Sequence, residues 1–337
     1  MSSIGGSPAV IRAISAFAIF GIVALTAGCT GGENVLGLGG SVTIDGSSTV
    51  FPISEAVAEE FVRSNSKVRV TVGLSGTGGG FSKFCSGEID ISDASRPISA
   101  SEMEACAAKG ISFIELPVAY DALSIVVNPK NDWISCITID ELKKMWEPAA
   151  QGNIRSWAQV NASWSAGGNL KLYGPGTDSG TFDYFTERVN GKTKDSRADY
   201  TPSEDDNVLV QGVAGDRGAL GYFGLAFLQQ NEGRIKGLDV DGGRGCIEPT
   251  PENVETGVYP LSRPLFIYVR KDAAERPEVS AFVDFYLENA AFLAMDVGYI
   301  RFPEPFYERI KAYWDARSEG TIFSGKPGTV GEILGVN

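Results

Sequence analysis

Histidine is absent from all 337 residues. Its absence removes the base of Ser-His-Asp and Cys-His nucleophile systems and every imidazole metal ligand, so hydrolase and metalloenzyme readings lose their commonest parts, while a carboxylate-only enzyme remains open. No CxxC spacing occurs either, and no metal or cofactor is expected. A basic excess is also missing. The 29 Lys and Arg stand against 42 Asp and Glu, a formal net charge of −13, which argues against the basic face a nucleic-acid partner requires.

The amino terminus carries one positive charge, Arg12, before the uncharged run "AISAFAIFGIVAL". That run is shorter than the roughly 20 apolar residues of a spanning helix and ends in small residues, as a secretory signal does. Its end, "LTAGC", resembles a bacterial lipoprotein processing site, which implies that Cys29 becomes the lipidated first residue. Thr26 stands where such sites usually have leucine, and a plain signal peptide cut nearby is the alternative. Residues 1–28 are therefore read as a signal peptide and 29–40 as a Gly-rich tether. The mature chain is expected in the periplasm or on the outer face of the cytoplasmic membrane, anchored by lipid.

Beyond the leader four cysteines remain, Cys85, Cys106, Cys136 and Cys246, an even number suited to disulfides in an oxidising compartment. Three pairings are available. Cys85 and Cys106 lie 21 residues apart around one strand-like run, which favours that pair and leaves Cys136 with Cys246.

The mature chain alternates short apolar strands with helices, the pattern of an α/β architecture with mainly parallel sheets. "SVTI" leads through "DGSSTVFP" into a helix whose Ile53, Ala56, Val57 and Phe61 share a face; "KVRVTV" breaks into "GLSGTGGGF"; "NLKLY" breaks into "GPGTDSGTF". The same unit of strand, polar glycine loop and helix thus occurs three times. The C-terminal part reads as amphipathic helices packed outside.

Each such loop feeds a helix start, where unpaired N–H groups and a partial positive charge favour an anion. Ser47, Ser48 and Thr49 lie in the first, with Pro52 in the first helical turn; Ser75 and Thr77 in the second; Thr177, Ser179, Gly180 and Thr181 in the third. Taken singly, each is ordinarily a capped turn, and none is a Walker A or dinucleotide motif. Three together would surround a small oxyanion with neutral donors. A fourth segment, "DISDASRPIS", carries Asp90, Asp93, Ser95 and Arg96 after the strand-like "EIDI". Arg96 is expected either to present its fork of donors to an anion or to form a structural ion pair with a nearby acid.

In order along residues 41 to 315, "IDGSSTVFPI", "GLSGTGGGF", "EIDISDASRPI", "YDALSIVVN", "GPGTDSGTFDYF", "GALGYFGLAF" and "YPLSRPLFIYV" resemble the phosphate-binding proteins of bacterial ABC-type phosphate importers. The resemblance implies a two-domain periplasmic-binding-protein fold of type II, with two hinge strands and the ligand in the interdomain cleft. Domain I would combine 41–118 with 260–337, domain II would span 119–259, and the hinges would lie near "LPVAYD" and "VYPLSR". Family phosphate contacts map onto Ser48, Thr49 and Val50, onto Ser75 and Thr77, and onto Ser179, Gly180 and Thr181.

Two departures bear on charge. The family arginine before Ser-Gly-Thr is missing from "GPGTD", which leaves Arg96 as first replacement and Arg217 as second. The family aspartate two residues before the proline is replaced by Ser95. Asp93 is then the first candidate, and Asp178 the second, for the carboxylate that accepts the phosphate proton and rejects sulfate. The implied function is capture of inorganic phosphate by a monomer, without chemistry, and delivery to an ABC permease. Alternatives are another oxyanion (sulfate, molybdate, an organic phosphate), a carboxylate-and-metal phosphatase, or a phosphate sensor.

Overall fold

Alternation of apolar residues with Thr43 and Asp45 builds β1 (Gly40–Gly46), whose Val42 and Ile44 are buried. The structure, a computed structural model, describes residues 38–177, 179–323, 326 and 329–336. Cys29, the leader, most of the tether and Asp178 lie outside the described residues. After β1 come α1 (Phe51–Ser64), β2 (Val68–Val72), α2 (Gly76–Cys85), β3 (Ile91–Ala94) and α3 (Ala100–Ala108). The expected apolar face of α1 is there, with Ile53, Val57 and Phe61 buried, while Ala56 sits only half-buried at its rim.

Next runs β4 (Phe113–Val127), fifteen residues buried throughout. It is followed by β5 (Cys136–Thr138), α4 (Ile139–Trp146), α5 (Trp157–Val160), β6 (Lys171–Gly174), α6 (Gly180–Asn190), β7 (Thr201–Pro202), α7 (Asp206–Gly215) and β8 (Ala219–Gly224). Then come α8 (Leu225–Gln230), β9 (Lys236–Asp241), β10 (Cys246–Ile247), α9 (Pro251–Glu255) and β11 (Ser262–Arg270). Four helices close the chain: α10 (Lys271–Ala274), α11 (Pro277–Asp296), α12 (Glu304–Asp315) and α13 (Val330–Leu334).

The strand order is β2-β1-β3-β11-β4-β8-β6-β7. At either end the neighbours are parallel, β1 with β2 and β3, and β6 with β7 and β8. Between them β11 and β4 run antiparallel to each other, and each is also antiparallel to its outer neighbour, β3 or β8. The sheet is thus mixed rather than mainly parallel. β4 continues past the end of β11, pairing with it as far as Ala122, with β8 from Leu123 and with β9 from Ile125.

Both expected disulfides form, Cys85–Cys106 tying α2 to α3 and Cys136–Cys246 tying β5 to β10. In the C-terminal helices, α11 buries Val279, Phe282, Val283 and Tyr286 and α12 buries Phe306, Ile310 and Trp314. Phe282 meets Phe61 edge-on at 5.3 Å, which clamps α11 to α1.

Candidate functional site

The turn after β1 closes on itself. Gly46 has φ +146°, and a Cβ there would overlap the carbonyl oxygen of Asp93, so only glycine fits. Ser47 N–H donates to that carbonyl at 3.0 Å, and the N–H groups of Val50 and Phe51 donate to the Ser47 carbonyl at 3.2 and 3.0 Å. Thr49 N–H bonds Ser47 Oγ at 3.2 Å. Ser48 takes no part in these bonds, and its half-buried side chain lies at the mouth of the turn. Val50 is fully buried, so of the three family positions it offers least to a ligand.

The second and fourth segments are knitted to the first. Ser75 N–H donates to the Gly46 carbonyl at 3.1 Å, and its hydroxyl donates to Asp45, whose other oxygen accepts from Lys83 Nζ at 2.6 Å. Thr77 Oγ1 lies 3.2 Å from Ser95 Oγ and accepts from Ser95 N–H at 3.2 Å. A Cβ on Gly80 would lie 2.6 Å from Gly46 Cα, which shows how close α2 comes to the end of β1.

The third loop arrives from the other end of the sheet. Ser179 caps α6, accepting from Thr181 N–H at 3.1 Å. Gly180 lies against the first loop: a Cβ built on it would sit 2.5 Å from Thr49 Oγ1, 2.9 Å from Ser48 Oγ and 3.2 Å from Thr49 N. Ser48, Thr49, Ser179, Gly180 and Thr181 are therefore gathered in one place, with Ser75, Thr77 and Ser95 on the adjoining loops.

The candidate charges are arranged differently from expectation. Both η nitrogens of Arg96 are on Glu102 at 2.8 Å, and Nη1 also reaches the Pro97 carbonyl. Glu102 is the N3 residue of the α3 capping box with Ser99, so Arg96 is tied into a helix start. Arg217 bonds Asp132 at 2.9 Å and the Lys130 carbonyl at 3.1 Å and lies 5.0 Å over the Trp133 ring; these partners belong to the segment after β4. Asp90 takes Thr43 and Arg276.

Asp93 lies within β3, not after it, since the strand starts at Ile91. Its side chain is fully buried and accepts from Ser54 Oγ at 2.9 Å, and that hydroxyl also meets Tyr286 Oη at 3.1 Å. Burial pushes the Asp93 carboxyl up to about 8, with Ser54 opposing and Asp45 adding. Oδ2 has no hydrogen-bond partner among the described residues. The carboxyl thus backs α1 one turn beyond the loop.

One cation escaped the sequence reading. Arg263 of β11 stands directly opposite Asp121 of β4 in the antiparallel register. Its Nε and Nη2 donate to Asp121 Oδ2 at 3.1 and 3.0 Å, and Nη2 also donates to Thr49 Oγ1 at 3.0 Å. The guanidinium carbon lies 3.9 Å from the centre of the Tyr184 ring on α6. The available signal was a single charged residue in each of two largely apolar stretches, "YDALSIVV" and "SRPLFIYV", because a charge inside a buried strand needs a partner. Tyr299 was missed too: its hydroxyl donates to the Thr49 carbonyl at 2.6 Å from the turn after α11.

A PBP superfamily domain matches residues 32–290. The chain is 50% identical to Protein SphX of Synechococcus elongatus, over 87% of this chain and 86% of that protein. It is 39% identical to the Phosphate-binding protein PstS of Staphylococcus saprophyticus, over 86% of this chain and 91% of that one. Among solved structures, a possible phosphate binding protein from Planctomyces limnophilus superposes with a TM-score of 0.78 at 46% identity, covering 83% of this chain and 99% of that one. An ABC-type phosphate transport receptor from Vibrio cholerae shares the fold, with a TM-score of 0.63 at 24% identity, over 77% and 99% of the two chains. With loops, mixed sheet and relatives in agreement, this chain belongs to the PBP superfamily, in the family of SphX and the phosphate-binding protein PstS.

Proposed function

We propose that the protein binds inorganic phosphate between the first and third loops and delivers it, outside the cytoplasm, to an ABC-type permease. The observation that carries this reading is the placement of Gly180 against Ser48 and Thr49, which sets two helix starts from opposite ends of the sheet around one point. Ser48, Thr49, Ser179, Gly180 and Thr181 form the immediate contacts, with Thr77 and Ser95 on the flank. Neutral donors of this kind take the place of water around a desolvated anion and suit a chain with net charge −13. Asp93 serves the site through Ser54 and the Ser47 N–H instead of touching the anion.

The lobes would divide as residues 41–118 with 260–337 and residues 119–259. β4 and β11 then cross between them, and hinge closure brings the third loop onto the first. Relatives named phosphate-binding proteins support the ligand, and the cysteine after "LTAG" supports a lipid anchor at Cys29. The protein acts as a monomer and without catalysis in this reading.

Calorimetry on ligand-stripped protein with phosphate, sulfate and molybdate tests the ligand, and a chromogenic phosphate ester tests for hydrolysis. Tight phosphate binding, weak sulfate binding and no ester cleavage are expected. Tight sulfate binding with no phosphate signal would overturn the proposal.

A further inference from the structure

We infer that Arg263, held in place by Asp121, is the cationic group that meets the bound anion, so that the charge of the site comes from the crossing strands β4 and β11 and not from a loop. The inference rests on the phosphate reading above and names the residue that sets the charge of the ligand.

Four other candidate cations are each engaged elsewhere. Arg96 is on Glu102, Arg217 on Asp132, Lys83 on Asp45, and Arg188 Nε on the Pro260 carbonyl. Arg263 is placed differently. It shares a hydrogen bond with Thr49 Oγ1, the same atom that a Cβ on Gly180 would approach to 2.5 Å. Its guanidinium therefore stands at the point where the two helix starts meet.

The way it is held leaves it free to bind. A guanidinium has five N–H donors. Nε and Nη2 account for three of them, on Asp121 and Thr49, and Nη1 takes part in neither bond. The two N–H groups of Nη1 remain, held in the plane of the guanidinium, and give an oxyanion directed, charge-assisted donors that a point charge lacks. Rotation of the group is restrained by Asp121 on one edge and by the Tyr184 ring on one face. The side chain is about one-tenth exposed and Asp121 less, so little ordering remains to be lost when an anion arrives.

The same contacts tie charge to closure. Thr49 belongs to the first loop and Tyr184 to α6, which begins with Gly180 and Thr181. Arg263 touches both, from a strand between them. Asp121 balances the guanidinium when the cleft is empty, which explains how a cation is tolerated there without its anion.

The test is calorimetric titration of wild type, Arg263→Gln, Arg263→Lys and the double variant Arg263→Gln/Asp121→Asn with inorganic phosphate, below and above the second ionisation of phosphate. Thermal melts of the unliganded proteins accompany it. The single Gln variant strands a buried carboxylate; the double variant removes the charge pair with nearly unchanged shape, and is expected to fold. Removing the cation is expected to weaken phosphate binding about 100-fold, more for the dianion than for the monoanion, with the Lys variant in between. A folded double variant that binds phosphate within about threefold of wild type, or that loses equally at both ionisation states, would overturn the inference. A wild type that binds no phosphate overturns the proposed function instead; titration with the oxyanion that it does bind then decides on Arg263 separately.

Discussion

Gly180 on α6 faces Thr49 on the first loop at a separation that leaves no room for a side-chain carbon, since a Cβ would fall 2.5 Å from Thr49 Oγ1. Real Cβ atoms do not approach that closely, so the Thr49 and Ser48 hydroxyls would have to turn aside or the two loops part. Gly180→Ala is therefore expected to weaken phosphate binding roughly 10- to 100-fold, the scale of a contact worth a few kcal/mol, while the unliganded protein melts within a few degrees of wild type. Gly180 has an ordinary helical backbone, so the change costs nothing there. Retained affinity in titration would show that the loops do not meet when the anion is bound.

Asp93→Asn separates support of α1 from recognition of the ligand. The folded carboxyl is held up at about 8 by burial, whereas an unfolded aspartate titrates near 3.9. Its folded state therefore keeps a proton that its unfolded state has released. The sign follows: this contribution to stability is complete below about pH 4, falls as pH rises, and is exhausted above about pH 8. Urea midpoints measured across that window should fall with pH more steeply in wild type than in the variant. The preference for phosphate over sulfate should be unchanged, because Asp93 bonds Ser54 within the core. A variant that accepts sulfate would return Asp93 to the cleft.

Much of this was legible in the sequence, for a local reason. The three units are each written within about ten residues, as strand, glycine turn and helix; in the second, the helix starts at Gly76 and takes in Thr77 and the following glycines. The Cys85–Cys106 link was legible because its two ends flank one short run. Asp93 was misplaced by strand phase: β3 begins at Ile91, so Asp93 becomes an inward residue of the strand and not the start of the loop. The Arg263–Asp121 pair could not be read, because its partners stand 142 residues apart and meet only through the register of β4 with β11. Predicting mainly parallel strands hid that register.

The Cys85–Cys106 disulfide joins α2, which starts at the second loop, to α3, whose capping box holds Arg96 through Glu102. Closing a 21-residue span is worth about 3 kcal/mol in the chain-entropy account. The Cys85→Ser/Cys106→Ser pair should lower the thermal midpoint by several degrees and weaken phosphate binding only slightly, since the Gly180–Thr49 approach lies elsewhere. Loss of binding as large as that of Gly180→Ala would mean that the second loop carries more of the ligand than its position at the flank implies.

Arg96→Gln provides the contrast to the Arg263 variants. Arg96 was the arginine that the sequence offered to the anion, yet its two η nitrogens are occupied by Glu102, whose carboxylate also takes the Ser99 N–H and hydroxyl. A guanidinium turned toward the cleft would give up a bidentate pair and leave Glu102 to Ser99 alone. The pair is partly exposed, 36% for Arg96 and 18% for Glu102, so solvent limits its worth to about 1 kcal/mol. Arg96→Gln is accordingly expected to lower stability by no more than that and to leave phosphate affinity within about threefold of wild type. A 100-fold loss of affinity with an unchanged melt would instead place Arg96 on the anion, and would require Glu102 to release it when the cleft closes.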